Sequence, residues 1–351
     1  MNETKPATAS RVSRVHLENF TLFEELDWQP GAGFNVMIGP NDSGKTLLLK
    51  VLYACVRSRE AIGRNPSGDM RRILSHKLIW TFQPDRLGQL VRKPKPEENP
   101  CHIELVLGGE DGSPLDPTRF RFTYHAESNI GEIDRSGEGR PGYSIFIPGK
   151  EVLSIAPIVK ESRQEEKFGF DDTVYDLLLL LEREPSRGAP PFGNARRRLE
   201  EELGGRIQYE GGRWHFDRKH NKQRFPVSLT AEGIKKIAIL DRLIVNRSLS
   251  PDSILFIDEP ESFLHPALAT TFLDILQALV RDGVQVFMAT HSYFVLKKLQ
   301  ILATERGKSM PVLNLGSAGE HTIDDLVDGM PENPIVDEAI RLYEEEVNLA
   351  F

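Results

Sequence analysis

Phe34-Asn35-Val36-Met37-Ile38-Gly39-Pro40-Asn41-Asp42-Ser43-Gly44-Lys45-Thr46 is the stretch whose reading decides the fold. Its first five residues are an apolar run short enough for a buried strand. Its last eight form a G-x-x-x-x-G-K-T loop. Beyond it, Leu47, Leu48, Val51, Leu52 and Cys55 lie at helical spacing. Strand, glycine loop and helix together are the context a phosphate-binding loop needs, and that context separates the motif from a chance glycine turn. Gly39 and Gly44 allow backbone angles and close approaches that a side chain would block. The N–H groups from Gly39 to Leu47 and the helix N-terminus then make an anion site. In such a loop Lys45 reaches the β- and γ-phosphates and the Thr46 hydroxyl ligates Mg²⁺.

The chain has 351 residues, enough for one large α/β domain or two ordinary ones. With 39% hydrophobic and 27% charged residues a full core is within reach. The net charge of −8 argues against a uniformly basic nucleic-acid coat, though not against a local basic groove. Cys55 and Cys101 are the only cysteines, too few for a disulfide framework or a zinc site, so a reducing cytoplasm is expected. Cys55 reads as a small core residue. No apolar run approaches the ~20 residues that span a membrane, so no membrane contact is expected. Met1 to Arg11 is polar, lacks the apolar stretch of a signal peptide and reads as a loose arm.

Further along, Val12–Leu17 and Leu22–Trp28 read as strands, and the helix after Lys45 is expected to run to about Ser58. Residues 59–75, with Arg59, Arg64, Arg71 and Arg72, read as a solvated basic surface in preference to a nucleic-acid contact. Ile103–Leu107 and Phe120–Tyr124 suggest antiparallel strands joined by a turn at 108–114, with a loop at 126–142 and a strand at Tyr143–Ile147. Phe170–Glu184 is a predicted helix whose leucine run suits a core. Ile207–Tyr209 and Arg213–Phe216 flank a hairpin signal, and Arg218, Lys219, Lys222 and Arg224 form a short basic cluster. Asp324, Asp325 and Asp328 read as a solvated helix start, followed by an amphipathic helix over Ile335–Val347.

The second half of the chemistry lies in the last third. Ile254-Leu255-Phe256-Ile257 is a continuous apolar run, as a central parallel strand should be, and it ends in Asp258-Glu259-Pro260-Glu261. Asp258 is placed to bind Mg²⁺, directly or through water, and Glu259 to hold an attacking water. A further buried strand, Gln285–Ala289, closes in Thr290-His291-Ser292, where His291 is placed to donate to a γ-phosphate.

Gly39–Thr46, then Leu255–Glu261 continuing to Phe263-Leu264-His265-Pro266, then Ala289–Ser292, resemble the ABC-type ATPases of the SMC/RecF/OLD group. The opening Leu17-Glu18-Asn19-Phe20 is similar too. Pro148–Leu153 and the Ile340–Tyr343 helix resemble small bacterial AAA family members of that group, which often lie beside defence effectors. The resemblance implies an α/β P-loop NTPase fold with an ABC-type ATPase core, a mixed and mainly parallel sheet. It also implies an antiparallel β-subdomain and a helical signature subdomain. Residues 1–11 would be an arm and 12–351 a single domain. Within it, 12–156 and 237–320 would form the nucleotide-binding lobe, 157–236 the signature subdomain and 321–351 a C-terminal helix. ATP and Mg²⁺ are the implied cofactors.

Relatives carry a signature with Ser followed by Gly that reaches the γ-phosphate on the opposite subunit. The matching residues here are Thr230, Ala231, Glu232 and Gly233, with Ala231 at the Ser position. Gly233 and the helix N-terminus could still bind an anion. Relatives often have Arg after Asn-Phe, where this chain has Thr21. Gln83 is the candidate for the Q-loop glutamine, with packing in its own loop as the plainer role. The implied function is an ATP-hydrolysing switch that forms a homodimer around ATP and signals to DNA or to a separate nuclease or toxin, in phage defence or DNA maintenance. The alternatives are the ATPase subunit of a membrane transporter, whose Ser-Gly-Gly-Gln signature is not visible, and a nucleotide-binding scaffold with negligible turnover. Too few residues follow His291 for the acidic nuclease domain of OLD-type proteins, and no long coiled coil is present.

Overall fold

A computed structural model describes residues 10–93, 99–108, 114–135 and 139–350. Residues 1–9 of the expected N-terminal arm and most of the turn at 108–114 lie outside the described residues, while Arg11, expected in the arm, already begins a strand. At the centre is a six-stranded sheet in the order β14-β13-β3-β12-β11-β7. Its strands are β3 (Phe34–Ile38), β7 (Ser144–Ile147), β11 (Ile254–Asp258), β12 (Gln285–Ala289), β13 (Pro311–Leu315) and β14 (His321–Asp325). All neighbours are parallel except β13 and β14, so the sheet is mixed and mainly parallel.

Successive residues of the central strands enter different cores, as the two-residue period requires. Val36, Ile38, Leu255, Ile257, Val286 and Met288 join one cluster, while Met37, Ile254, Phe256 and Phe287 join the other. Burial on both faces is why these strands read as continuous apolar runs. On the second face Phe146, Phe256 and Phe287 stack in register across three strands. The Tyr53 ring of helix α1 (Lys45–Arg64) packs edge-on against Phe146 and Phe256. That row seats α1 over the sheet, with its N-terminus at the carboxyl end of β3.

A second sheet, antiparallel and five-stranded, runs β2-β1-β4-β5-β6. It comprises β1 (Arg11–Phe20), β2 (Phe23–Trp28), β4 (Cys101–Gly108), β5 (Pro114–Phe122) and β6 (Ile133–Arg135). Gln285 ties the two sheets together. Its side chain accepts from Val12 N at 3.0 Å and donates to Val12 O and Gly31 O at 2.9 and 2.8 Å. A buried polar group in a central strand is tolerated because each of its atoms is paired.

The middle of the chain supplies α3 (Ala156–Gln164), α4 (Asp172–Leu181), α5 (Gly193–Leu203) and α6 (Glu232–Val245). It also carries a three-stranded antiparallel sheet of β8 (Gly205–Glu210), β9 (Arg213–Arg218) and β10 (Arg224–Pro226), in which β8 and β9 form the hairpin expected around Glu210-Gly211-Gly212. Helices α7 (Pro266–Arg281) and α8 (Tyr293–Arg306) cover the first face of the central sheet, and α9 (Pro334–Ala350) follows.

Three expectations need correction. Helix α1 continues to Arg64, and Arg59 and Glu60 within it are fully buried, not solvated. Glu60 is buried because Arg140, from the segment expected to be loop, pairs with it at 2.7 Å. The rest of the basic stretch includes α2 (Met70–Phe82), capped by the Asp69 side chain. Asp324 and Asp325 end strand β14 and do not start a helix. Asp325 accepts from Met310 N at 2.8 Å and Val327 N at 3.0 Å, so its side chain closes the strand end.

Candidate functional site

Strands β3, β11 and β12 lie side by side and end together, which brings three loops to the carboxyl edge of the parallel sheet, where open α/β sheets bind ligands. The first is Gly39–Gly44. Gly39 has φ +147°, and a Cβ there would sit 2.2 Å from the Leu315 carbonyl oxygen of the neighbouring strand. Only glycine fits. Lys45 begins α1 and folds back over its own loop, donating to Gly39 O at 2.9 Å and Pro40 O at 2.7 Å. Burial lowers its pKa, opposed by the fields of Asp258, Glu259 and Glu261.

Thr46, the next residue, donates its hydroxyl to Asp258 Oδ2 at 2.9 Å. Burial pushes the Asp258 carboxyl above its ordinary range. The Thr46 hydrogen bond opposes that shift and the charge of Glu259 adds to it. A hydroxyl and a carboxylate, both hard oxygen donors, form a set that suits Mg²⁺.

Glu259 stands just past the strand with φ +47°, and its N–H donates to Ala289 O at 2.9 Å. One carboxylate oxygen accepts from Ser262 Oγ at 2.8 Å, and the other lies 3.5 Å from His291 Nδ1. The Glu259 side chain remains 42% exposed, so water has access to it. The third loop follows β12. Thr290 Oγ1 and His291 N both donate to Glu261 Oε1, at 2.8 and 3.3 Å. Glu261 thus orients the His291 backbone, a role the sequence reading did not assign.

Lys236 was also missed. It lies on α6, is 6% exposed, and donates to Glu259 O at 2.6 Å and Ser262 O at 3.4 Å. Burial lowers its pKa to about 8, against the pull of Glu261 and Glu259. No spacing rule signals it, because a lysine one turn into a helix usually faces water.

The candidate signature forms the start of α6. Ala231 occupies the N-cap without a side-chain hydrogen bond, and Thr230 precedes it. Glu232 accepts from Lys235 Nζ at 2.9 Å. Gly233 lies against the Glu259 turn, where a Cβ would come 3.0 Å from Phe263 O. Among the described residues no hydrogen bond joins Thr230, Ala231, Glu232 or Gly233 to the phosphate loop. Gln83 lies elsewhere. Its amide donates to Phe170 O at 2.8 Å and accepts from Gly169 N at 3.1 Å, pinning the turn before α4. Asp171, at the end of that turn, pairs with Lys50 of α1 at 2.7 Å.

Residues 78–297, more than half of the chain, match the family model described as AAA domain, putative AbiEii toxin, Type IV TA system. The phosphate loop precedes that span. Over 53 residues the chain is 36% identical to the DNA replication and repair protein RecF of Chlorobium luteolum, covering 15% of this chain and 14% of that protein. Over 109 residues it is 31% identical to the cell division ATP-binding protein FtsE of Streptococcus pneumoniae, covering 30% and 44%. The matched stretches therefore span less than half the length of either relative. Among solved structures, the Smc head domain with an extended coiled coil from Pyrococcus furiosus, bound to the C-terminal domain of ScpA, superposes with a TM-score of 0.55. That match covers 96% of this chain and 99% of the other at 11% identity, a likeness of fold.

Proposed function

The chain belongs to the AAA domain family described as putative AbiEii toxin, Type IV TA system, with the fold of an SMC/RecF-type ABC ATPase, and on that footing we propose that it binds and hydrolyses ATP as a molecular switch. The observation that carries this reading is the 2.9 Å contact from Thr46 to Asp258, with Glu259 and His291 beside it. Thr46 and Asp258 would hold Mg²⁺, which when bound neutralises phosphate charge. Lys45 exchanges its loop carbonyls for β- and γ-phosphate oxygens. Glu259 accepts the proton of the attacking water, and the exposed carboxylate edge is where that water can sit. His291, anchored through Glu261, donates to the γ-phosphate as charge builds there.

Two copies would close around two ATPs, with Thr230, Ala231, Glu232 and Gly233 of each facing the other's phosphate loop. Gly233 packs on the Glu259 turn of its own chain, so closure in one site would be felt in the other. The output would pass to DNA or to a separate nuclease or toxin in phage defence or DNA maintenance. The toxin–antitoxin description of the family and the repair role in the RecF name support that direction. An adjacent reading frame encoding such an effector would name the partner.

The test is Glu259→Gln in the full chain. Phosphate release should fall about a hundredfold or more while ATP binding persists, and ATP should shift the variant to a dimer on sizing chromatography. Parental turnover in the variant would remove Glu259 as the base. Equally negligible turnover in both proteins would favour a nucleotide-binding scaffold.

A further inference from the structure

Helix α5, strands β8 and β9, the turn after β9 and the second half of α6 line a half-open pocket of about 820 Å³, within the range of small-ligand sites. It shares no lining residue with the phosphate loop or the Asp258–Glu261 turn. Seven Lys or Arg side chains line it against three carboxylates, in a chain whose net charge is −8. Some of those cations are already engaged: Arg196 pairs with Glu200, and Arg224 with Asp217 and Glu210. Among the described residues, Arg206, Lys219 and Lys222 have no carboxylate within ion-pair distance. Unpaired cations gathered around one hollow repel each other, and an anion placed between them removes that cost.

Asp241 is the second observation. It lines the same cavity, is 7% exposed, and its Oδ1 has no hydrogen-bond partner among the described residues. Arg196 Nε forms an ion pair with it at 3.8 Å, a distance too long for a hydrogen bond, so the oxygen's hydrogen-bonding capacity stays open. Burial pushes this carboxyl up to about 6. A buried acceptor left open beside a cationic wall calls for a ligand with both phosphate and a donor group. Ile207 and Val245 supply apolar wall between the two.

We propose that this cavity is a second nucleotide site, with phosphates held by Arg206, Lys219 and Lys222 and a sugar hydroxyl or base amine donating to Asp241. A compact pocket of this size suits a small molecule better than a nucleic-acid strand, which would need a long groove. Helix α6 carries Asp241 near one end and Lys236, bonded to the Glu259 carbonyl, near the other. Occupancy of the cavity therefore has a rigid path to the turn that holds Glu259.

The experiment is calorimetric titration of the full chain carrying Lys45→Ala with ATP and with pyrophosphate. Both should bind once per chain, and adding Lys219→Glu with Lys222→Glu should weaken both about tenfold or more. Asp241→Asn should weaken ATP and leave pyrophosphate unchanged. Thermal melts check each fold, and Arg206→Gln replaces the double reversal if that variant does not fold. Absence of binding by either probe at millimolar concentration would overturn the proposal. So would affinities that ignore the charge reversals. Binding of a single-stranded oligonucleotide that the reversals abolish, with neither probe bound, would assign the face to nucleic acid instead.

Discussion

Thr46 Oγ1 donates to Asp258 Oδ2 across 2.9 Å, although the two residues are 212 positions apart in the chain. They meet because β3 and β11 both pair in parallel with β12, so the helix that follows one strand begins beside the end of the other. Thr46→Val keeps the shape and removes the hydroxyl. It should weaken Mg²⁺-dependent ATP binding about tenfold, while metal-free nucleotide binding changes little. Titrating Mg²⁺ at fixed ATP separates the two, and an equal loss in both would take Thr46 out of the metal site.

Lys236 links α6 to the Glu259 turn through its ammonium. Burial lowers its pKa to about 8, so its ammonium is lost as pH rises through that value, and turnover should fall with it. Stability moves the other way. The folded pKa lies below the unfolded one, so between about 8 and the ordinary lysine value of 10.5 the unfolded state binds more protons and stability rises with pH. Lys236→Met should cut turnover about tenfold at unchanged ATP affinity, and Lys236→Arg should restore part of it and move the alkaline limb upward. Identical alkaline limbs in parent and Lys236→Arg would dissociate the lysine from the profile.

Gly39 tests the loop geometry. Gly39→Ala forces a side chain onto a φ of +147° and against the Leu315 carbonyl, so it should cost about 2 kcal/mol or more and abolish nucleotide binding. Gly204→Ala is the control, with φ +55° and open space around it, and should cost only about 1 kcal/mol. Urea denaturation compares them, and equal losses would mean that the close approach to Leu315 carries no weight.

A buried ionic cluster joins α1, α2 and α4. Asp176 accepts from Tyr53 at 2.6 Å, Arg57 at 3.2 Å and Lys77 at 2.9 Å, and Lys77 also holds Asp172 at 2.6 Å. Burial alone would raise the Asp176 carboxyl, but Lys77 and Arg57 hold it down at about 2. Its folded pKa is thus below the unfolded value, so the stability it contributes is present above the ordinary carboxylate range and lost as pH falls toward 2. Lys77→Met leaves two buried carboxylates short of a cation and should cost about 3–5 kcal/mol at neutral pH. Denaturation across pH 2 to 7 checks both statements, and a cost below 1 kcal/mol would show that Arg57 on Asp176 and Arg163, 3.3 Å from Asp172, satisfy the cluster.

Local pattern made the strand, loop and helix at 34–55 legible, as well as the strand ending at Asp258 and the strand ending before His291. A five-residue apolar run between turn residues and a glycine loop before a helical stripe are short-range signals. The same kind of signal failed at Glu60, Asp325 and Lys236. A charged residue reads as solvated until its partner is known, and the partners came from Arg140, from Met310 and from the carbonyl of Glu259. The sequence by itself thus determined which segments would become strands and which residue types would stand at their ends, because backbone geometry and apolar period act over a few residues. Only the tertiary structure decided that Thr46 touches Asp258, that Lys236 grips the Glu259 turn and that cations surround Asp241. Those contacts depend on strand order in the sheets and on burial, and neither is a property of any short stretch of chain.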